Sequence, residues 1–315
     1  MNFTAHPDPA YGAMQHWMQQ WSDLETRLAA LLLAPQARPD FVEQAQTLHR
    51  EGRALLEIDG DSTLYWLFQL AASSTVAYSA SHAMVCWALC QLVADDLALP
   101  PEQRDSLALA ALTMNLAMTR LQDTLAEQAT PPDEAQRAQI DTHAARSAQW
   151  LRELGVSDRL WLDTVEQHHE AGADLPLPTR ILQAMDRYAA LISPRESRPG
   201  RCVTDSGRHL VAKAGQAPDA IGHTLLRSVG ICPPGTFVRL ADDRVAVVLR
   251  RSDRPGEPWV ATVLDAHDTP VVEPELIDTG TDGLGIAAAL VTRSVRVRLN
   301  HPRLLQLSRV ALTRP

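Results

Sequence analysis

Between Asp61 and Leu99 the chain contains neither glycine nor proline. These residues are the strongest local breakers of regular structure, one through backbone entropy and the other through its missing N–H. A run of this length without them, rich in Ala, Leu, Val and Trp, has few options besides helix. The preceding segment has the same texture. Trp17, Trp21, Leu24, Leu28 and Leu31 recur at helical spacing, which predicts helices over 14–34 and 40–58, divided by Pro35 and Pro39.

The helical pattern continues well past the middle of the chain. One helix is expected from about Pro101 to Gln128. Thr130-Pro131-Pro132-Asp133 opens the next, because proline is tolerated in a first turn and acids favour its positive end; it carries His143 and ends near Gly155. Ser157 is expected to cap a helix that passes Trp161, Val165 and His168 and stops at Gly172. Pro178 opens another, which holds Asp186 and closes near Pro194. After about Gly230 the texture changes. CPPGTFVRL and RVAVVLRR read as two strands joined by a turn at Asp242-Asp243, with WVATVL and the alternating SVRVRLN as further strand candidates. The reading is a mainly α protein: an N-terminal helical region (1–74), a helical domain (75–228) and a small β-rich C-terminal module (229–315).

Composition excludes several classes of function. The 315 residues carry a net charge of −9, which disfavours non-specific nucleic-acid binding. Lys213 is the only lysine, so chemistry that needs one has a single candidate. The four cysteines (Cys86, Cys90, Cys202 and Cys232) form no CxxC pair, which argues against both a disulfide scaffold and a Cys-rich zinc module. The N-terminus lacks the basic and apolar regions of a signal peptide, and the longest apolar stretches are too short to cross a bilayer. A soluble cytoplasmic protein is expected, without nucleic-acid or membrane partners.

The residues that could carry chemistry lie on the helical segments. His82 shares a face with Tyr78, Ser79, Val85, Cys86 and Leu89; it reads as a hydrogen-bonded core histidine or as a metal ligand. Its i,i+4 spacing from Cys86 would let the two share an ion, although Cys86 reads first as packing. His168 and His169 are adjacent and point about 100° apart on a helix, so they could serve two neighbouring ions, or one ion and a substrate. A partly solvated helix end explains them too. Asp186 sits at the edge of an apolar face and needs a partner, for which a metal or an arginine would serve. Leu107, Ala111, Met114, Met118, Leu121 and Leu125 are spaced 4-3-4-3-4 and form a core stripe. Asn115 beside them can offer a neutral oxygen but no negative charge.

Taken together, these segments resemble the HD-GYP family, whose active members hydrolyse the bacterial messenger cyclic di-GMP at a two- or three-metal centre. The similarity covers roughly residues 75–245, about half the chain. SASHAMV matches the family's first histidine at His82, THAARSAQWL its later histidine at His143, and HHE its HHE at 168–170. MDRYAALISPRESR matches the aspartate-bearing helix and the arginines after it, giving Asp186, Arg195 and Arg198; GICPPGTFVRL looks like the family's G-x-Y-P-P-G-T element. The departures are equally specific. The family's HDxGK falls on Met114-Asn115-Leu116-Ala117-Met118, so the central His-Asp pair and the lysine are replaced. No Gly-Tyr-Pro follows HHE, and Tyr78 stands where three-metal members carry a glutamate.

The resemblance implies an HD-domain-like helical bundle. It implies residual metal ligands at His82, His143, His168, His169 and Asp186, and ligand-phosphate contacts at Arg195 and Arg198, for which a solvated arginine pair is the alternative. A bridging ligand between two divalent ions is ordinarily anionic, and an amide at 115 should weaken such a centre. Three functions follow. The first is a catalytically impaired relative in cyclic di-GMP signalling, acting as a regulatory, ligand-binding or interaction module with cyclic di-GMP, a protein partner or a second copy. The second is a residual metal-dependent phosphodiesterase. The third is a structural helical adaptor. The expected cofactor is none, or a single weakly held divalent iron or manganese.

Overall fold

One helix lies at the centre of the molecule, and its composition explains why. In the computed structural model α4 (Tyr78–Asp96) is buried on almost every side. A helix that is apolar all round can satisfy itself only by being surrounded. Around it pack α1 (Pro9–Leu33), α3 (Gly60–Ser73), α5 (Pro101–Thr113), α6 (Thr119–Glu127), α9 (Leu177–Ile192) and α10 (Ala220–Val229). The amphipathic α2 (Phe41–Ile58), α7 (Glu134–Glu153) and α8 (Arg159–Gln167) form an outer layer against α1, α5 and one another. The structure describes residues 9–73, 77–172, 174–192, 220–281 and 283–313, without the side chains of 72, 73 and 293. Arg195 and Arg198 lie outside the described residues, as do Cys202 and Lys213.

Two expected helices are divided. The glycine-free run gives α3 and α4 rather than one rod, and Ala77 enters α4 with φ 54°, the left-handed region that a helix cannot continue through. Ser73-Ser74-Thr75-Val76 precedes it, and such residues favour non-helical alternatives. The helix expected over 101–128 likewise breaks after Thr113. Met114 and Asn115 lead into a 3₁₀ turn at Leu116–Met118 before α6 begins. Of the expected stripe, Leu107, Ala111, Met114, Met118 and Leu125 are nevertheless buried, and Leu121 is half-buried.

Caps set the outer helices. Asp133 and Gln136 form a reciprocal capping box at the start of α7. Asp158, one residue beyond the expected Ser157, caps α8 by accepting from the Trp161 N–H. Its second oxygen accepts from the Ser106 hydroxyl of α5 at 2.6 Å, so one carboxylate both starts α8 and docks it. Helix α8 ends at Gln167, short of the expected Gly172.

After α10 the chain builds a five-stranded antiparallel sheet of order β4-β3-β2-β1-β5. Its strands are β1 (Phe237–Leu240), β2 (Val245–Arg250), β3 (Trp259–Leu264), β4 (Leu276–Asp278) and β5 (Ile286–Leu290). Period-two alternation sorts the residues: Phe237, Val245, Val247, Leu249, Ala261 and Val263 join the core of the helical body. Val238, Leu240, Ala246, Val248 and Val260 form a second, smaller core on the far face. The expected strand at SVRVRLN is not in a ladder among the described residues. Val295, Val297 and Leu299 still alternate against the main core, so the pattern marks a half-buried segment that pairs with no strand among the described residues. Unforeseen was α11 (His301–Ala311), capped by Asn300, which packs on α1, β2 and β3.

Two features fasten sheet to helices. Gly235 has φ 90°, and an added Cβ would lie 3.1 Å from both the Tyr65 carbonyl oxygen and the Phe68 Cβ; the turn before β1 can therefore rest on α3 only with glycine there. Gln69 donates to the Gly235 carbonyl at 2.7 Å. Beside it Arg250 donates to Asp59, to Asp61 and to the Ser308 carbonyl, while Arg251 donates to Asp61. Asp59 also accepts from the Ser62 N–H at 3.0 Å, in the first turn of α3. All of Asp59, Asp61 and Arg250 are buried, so the network joins α3, β2 and α11 largely out of contact with solvent. No helix among the described residues is long and apolar enough to cross a membrane.

Candidate functional site

The histidines singled out in the sequence converge as two groups of three side chains. In the first, His82 from the buried face of α4 meets Asp186 from α9, with Nε2 to Oδ1 at 2.9 Å. Cys86, one turn along α4, places its Sγ 3.6 Å from the same Nε2. In the second, His143 of α7 faces His168 at the C-terminal end of α8, with their Nε2 atoms 3.3 Å apart; the His169 ring centre lies 5.0 Å from that of His143. In each group of three the potential ligand atoms lie within 4.8 Å of one another.

The surrounding scaffold accounts for the alignment. The Trp161 indole N–H donates to Thr113 Oγ1 at 2.8 Å, which ties α8 to the end of α5. Thr164 and Thr179 join α8 to α9, and Gln183 donates to the carbonyls of Gln167 and Glu170, fixing the helix end that bears His168 and His169. Ser147, one turn past His143, accepts from the Ala117 N–H at 2.9 Å, so α7 is held against the 3₁₀ turn. Met114 is 1% exposed and part of the main core, Met118 is buried, and Asn115 is half-buried.

Tautomers follow from the partners. His143 Nδ1 lies 2.5 Å from the Ile140 carbonyl and His168 Nδ1 lies 2.6 Å from that of Val165. A carbonyl only accepts, so both Nδ1 atoms carry the hydrogen and both Nε2 atoms are bare in the neutral rings. A backbone acceptor on one nitrogen is how proteins orient a metal-binding imidazole. His82 is held differently: Nε2 bonds Asp186, Tyr78 stacks on the ring at 5.7 Å and 12° between planes, and Nδ1 has no partner among the described residues. Tyr78 thus gives the His82 ring an aromatic cover.

Electrostatics divides the groups. Burial raises the Asp186 carboxyl, but the His82 hydrogen bond and the charges of His82, His168 and His169 outweigh it and hold the group well below its ordinary value. His168 is lowered to about 4, chiefly by burial and then by His169, and burial lowers His143 as well. Burial first, and then the Asp186 charge, keeps the Cys86 and Cys90 thiols protonated well above the usual range. One group thus holds a carboxylate, the other two imidazoles whose burial disfavours the charged form, and they are close enough for Asp186 to sense both.

All five residues expected as ligands, His82, His143, His168, His169 and Asp186, are brought together in these two groups. Cys86 is the member that sequence reading set aside as packing, although its i,i+4 spacing from His82 was the signal. The donor set (imidazoles, a carboxylate and a thiol, with two Nε2 lone pairs left facing) fits a divalent ion.

Comparison with known proteins places this geometry. Over 218 residues, 65% of this chain, it is 23% identical to cyclic di-GMP phosphodiesterase PA4108 of Pseudomonas aeruginosa. That match spans 53% of the relative, so the chain corresponds to about half its length. Among solved structures it is similar to Bd1817, a HDG"Y"P protein from Bdellovibrio bacteriovorus. The TM-score is 0.53 at 15% identity, with 71% of this chain and 73% of that one covered. No family model matches the chain.

Proposed function

Because the chain is related to the HD-GYP proteins in sequence and in fold, we propose that it is a catalytically impaired member of cyclic di-GMP signalling. Its role would be that of a regulatory or ligand-binding module, with a protein partner or a second copy as its effector. The observation that carries this reading is the state of residues 114 and 115. Met114 is built into the hydrophobic core, and Asn115 sits in a helix break with an amide where the family places a carboxylate. Two divalent ions at bridging distance repel strongly, and a neutral amide does not offset that repulsion. The two ligand groups are therefore left unjoined, and the site would hold one ion at most.

When bound, one divalent ion polarises a phosphate oxygen and acidifies water. His82 with Asp186, or His143 with His168 and His169, would hold it, and Arg195 and Arg198 would contact the phosphates of the nucleotide through their planar forks. Elemental analysis of protein purified without chelator tests the proposal. One equivalent of metal or less, with cyclic di-GMP bound but not hydrolysed, supports it. Two or more equivalents of iron or manganese would overturn it.

A second reading, residual metal-dependent phosphodiesterase activity, is favoured by one observation: His143 and His168 are held by backbone carbonyls in the tautomer that a ligand needs.

A further inference from the structure

We propose that Cys86 is a thiolate ligand, making His82, Cys86 and Asp186 a mononuclear nitrogen, sulfur and oxygen site for an ion of the zinc class. The inference rests on reading this cluster as metal-holding, and goes beyond it by adding a ligand and by changing the metal expected there.

The distances carry the argument. Tetrahedral nitrogen and sulfur ligands at ordinary zinc bond lengths stand about 3.6 Å apart. Cys86 Sγ and His82 Nε2 are already 3.6 Å apart. His82 Nε2 and Asp186 Oδ1, at 2.9 Å, are drawn together by their hydrogen bond and need to part by only a few tenths of an ångström. Because His82 and Cys86 are four residues apart on one rigid helix, their alignment costs no ordering.

Charge selects this trio over the other. A thiolate and a carboxylate together neutralise a divalent ion, whereas His143, His168 and His169 offer no anion. Binding exchanges the thiol proton for the ion: the S–H bond breaks, the sulfur–metal bond forms and the proton leaves to solvent, with no change of oxidation state. Thiolate donors favour zinc and cobalt over harder manganese or magnesium. With His82 and Cys86 buried and the Asp186 side chain 16% exposed, the open side of the trio is the Asp186 side, where a water or a phosphate oxygen could complete the shell.

Cobalt(II) titration of the metal-stripped full chain tests this without any activity. The expected result is one equivalent bound, with a near-ultraviolet thiolate-to-cobalt band that Zn²⁺ bleaches. Cys86→Ser should lose the band, while Cys90→Ser and Cys232→Ser keep it. Cobalt bound without the band, or a band that survives Cys86→Ser, would overturn the thiolate ligand and leave the metal-holding reading standing. No cobalt bound would overturn both.

Discussion

His143 and His168 present bare nitrogens to each other across 3.3 Å. Each ring gives its one hydrogen to a carbonyl of its own helix, Ile140 or Val165, and both rings are buried. Facing lone pairs repel, and rotating either ring would abandon a hydrogen bond at 2.5 or 2.6 Å. A metal ion between them removes the conflict.

A test of residual catalysis follows from that pair. If cyclic di-GMP turnover is detected, His143→Ala should reduce it by about 100-fold or more. Loss of a residue that merely orients a ligand already costs up to about that much. Unchanged kcat in His143→Ala would remove the phosphodiesterase reading.

The same burial makes the metal-free fold acid-sensitive. His168 is lowered from 6.5 to about 4, and His143, His49 and His301 are also lowered, in each case first by burial. Their folded values lie below the unfolded one, so as pH falls the unfolded chain takes up protons first. Stability is full above about pH 6.5 and is lost towards pH 4; for His168 alone the difference corresponds to about 3 kcal/mol. Asp186, depressed below 3.8, gives a contribution lost only under stronger acid, so it does not offset the loss in this window. Thermal melts at pH 7.5 and pH 5 should show a clear fall in Tm, and His168→Gln should flatten the profile. A flat wild-type profile would contradict the burial of these rings.

Much of this was legible in the sequence because burial is periodic. The stripe through Met114 and Met118, the strand at RVAVVLRR and the order of the histidine-bearing segments all survive in three dimensions. What escaped was set by single backbone positions or by distant partners. Ala77 adopts φ 54° with nothing in its side chain to announce it, and the break at Asn115 keeps the apolar stripe intact, so periodicity could not reveal it. Val295, Val297 and Leu299 alternate as a strand would, but strand pairing depends on a neighbour that local pattern cannot supply. Cys86 joins the site only because α9 brings Asp186 to it.

Arg250 and Arg251 together offset the charges of buried Asp59 and Asp61, although burial still raises the Asp61 carboxyl. Arg250→Ala leaves two carboxylates buried with less than their complement of charge and should cost about 3–5 kcal/mol. The urea midpoint should fall accordingly. A loss under about 1 kcal/mol would mean that the network is solvated and that the sheet is not fastened through it.

Restoring one carboxylate tests whether position 115 governs the centre. Asn115→Asp keeps side-chain size, and half-buried Asn115 stands at the N-terminal boundary of the 3₁₀ turn at Leu116–Met118 without a side-chain capping bond to lose. Stability should therefore change little, while the added charge offsets the repulsion between neighbouring divalent ions. Manganese stoichiometry should rise from one ion or less towards two, and cyclic di-GMP hydrolysis should increase by about tenfold, or some 1.4 kcal/mol of barrier. If stoichiometry and turnover both stay at the wild-type level, the amide is not what separates the two ligand groups. The missing histidine at Met114, closed off by core packing, would then be the controlling loss.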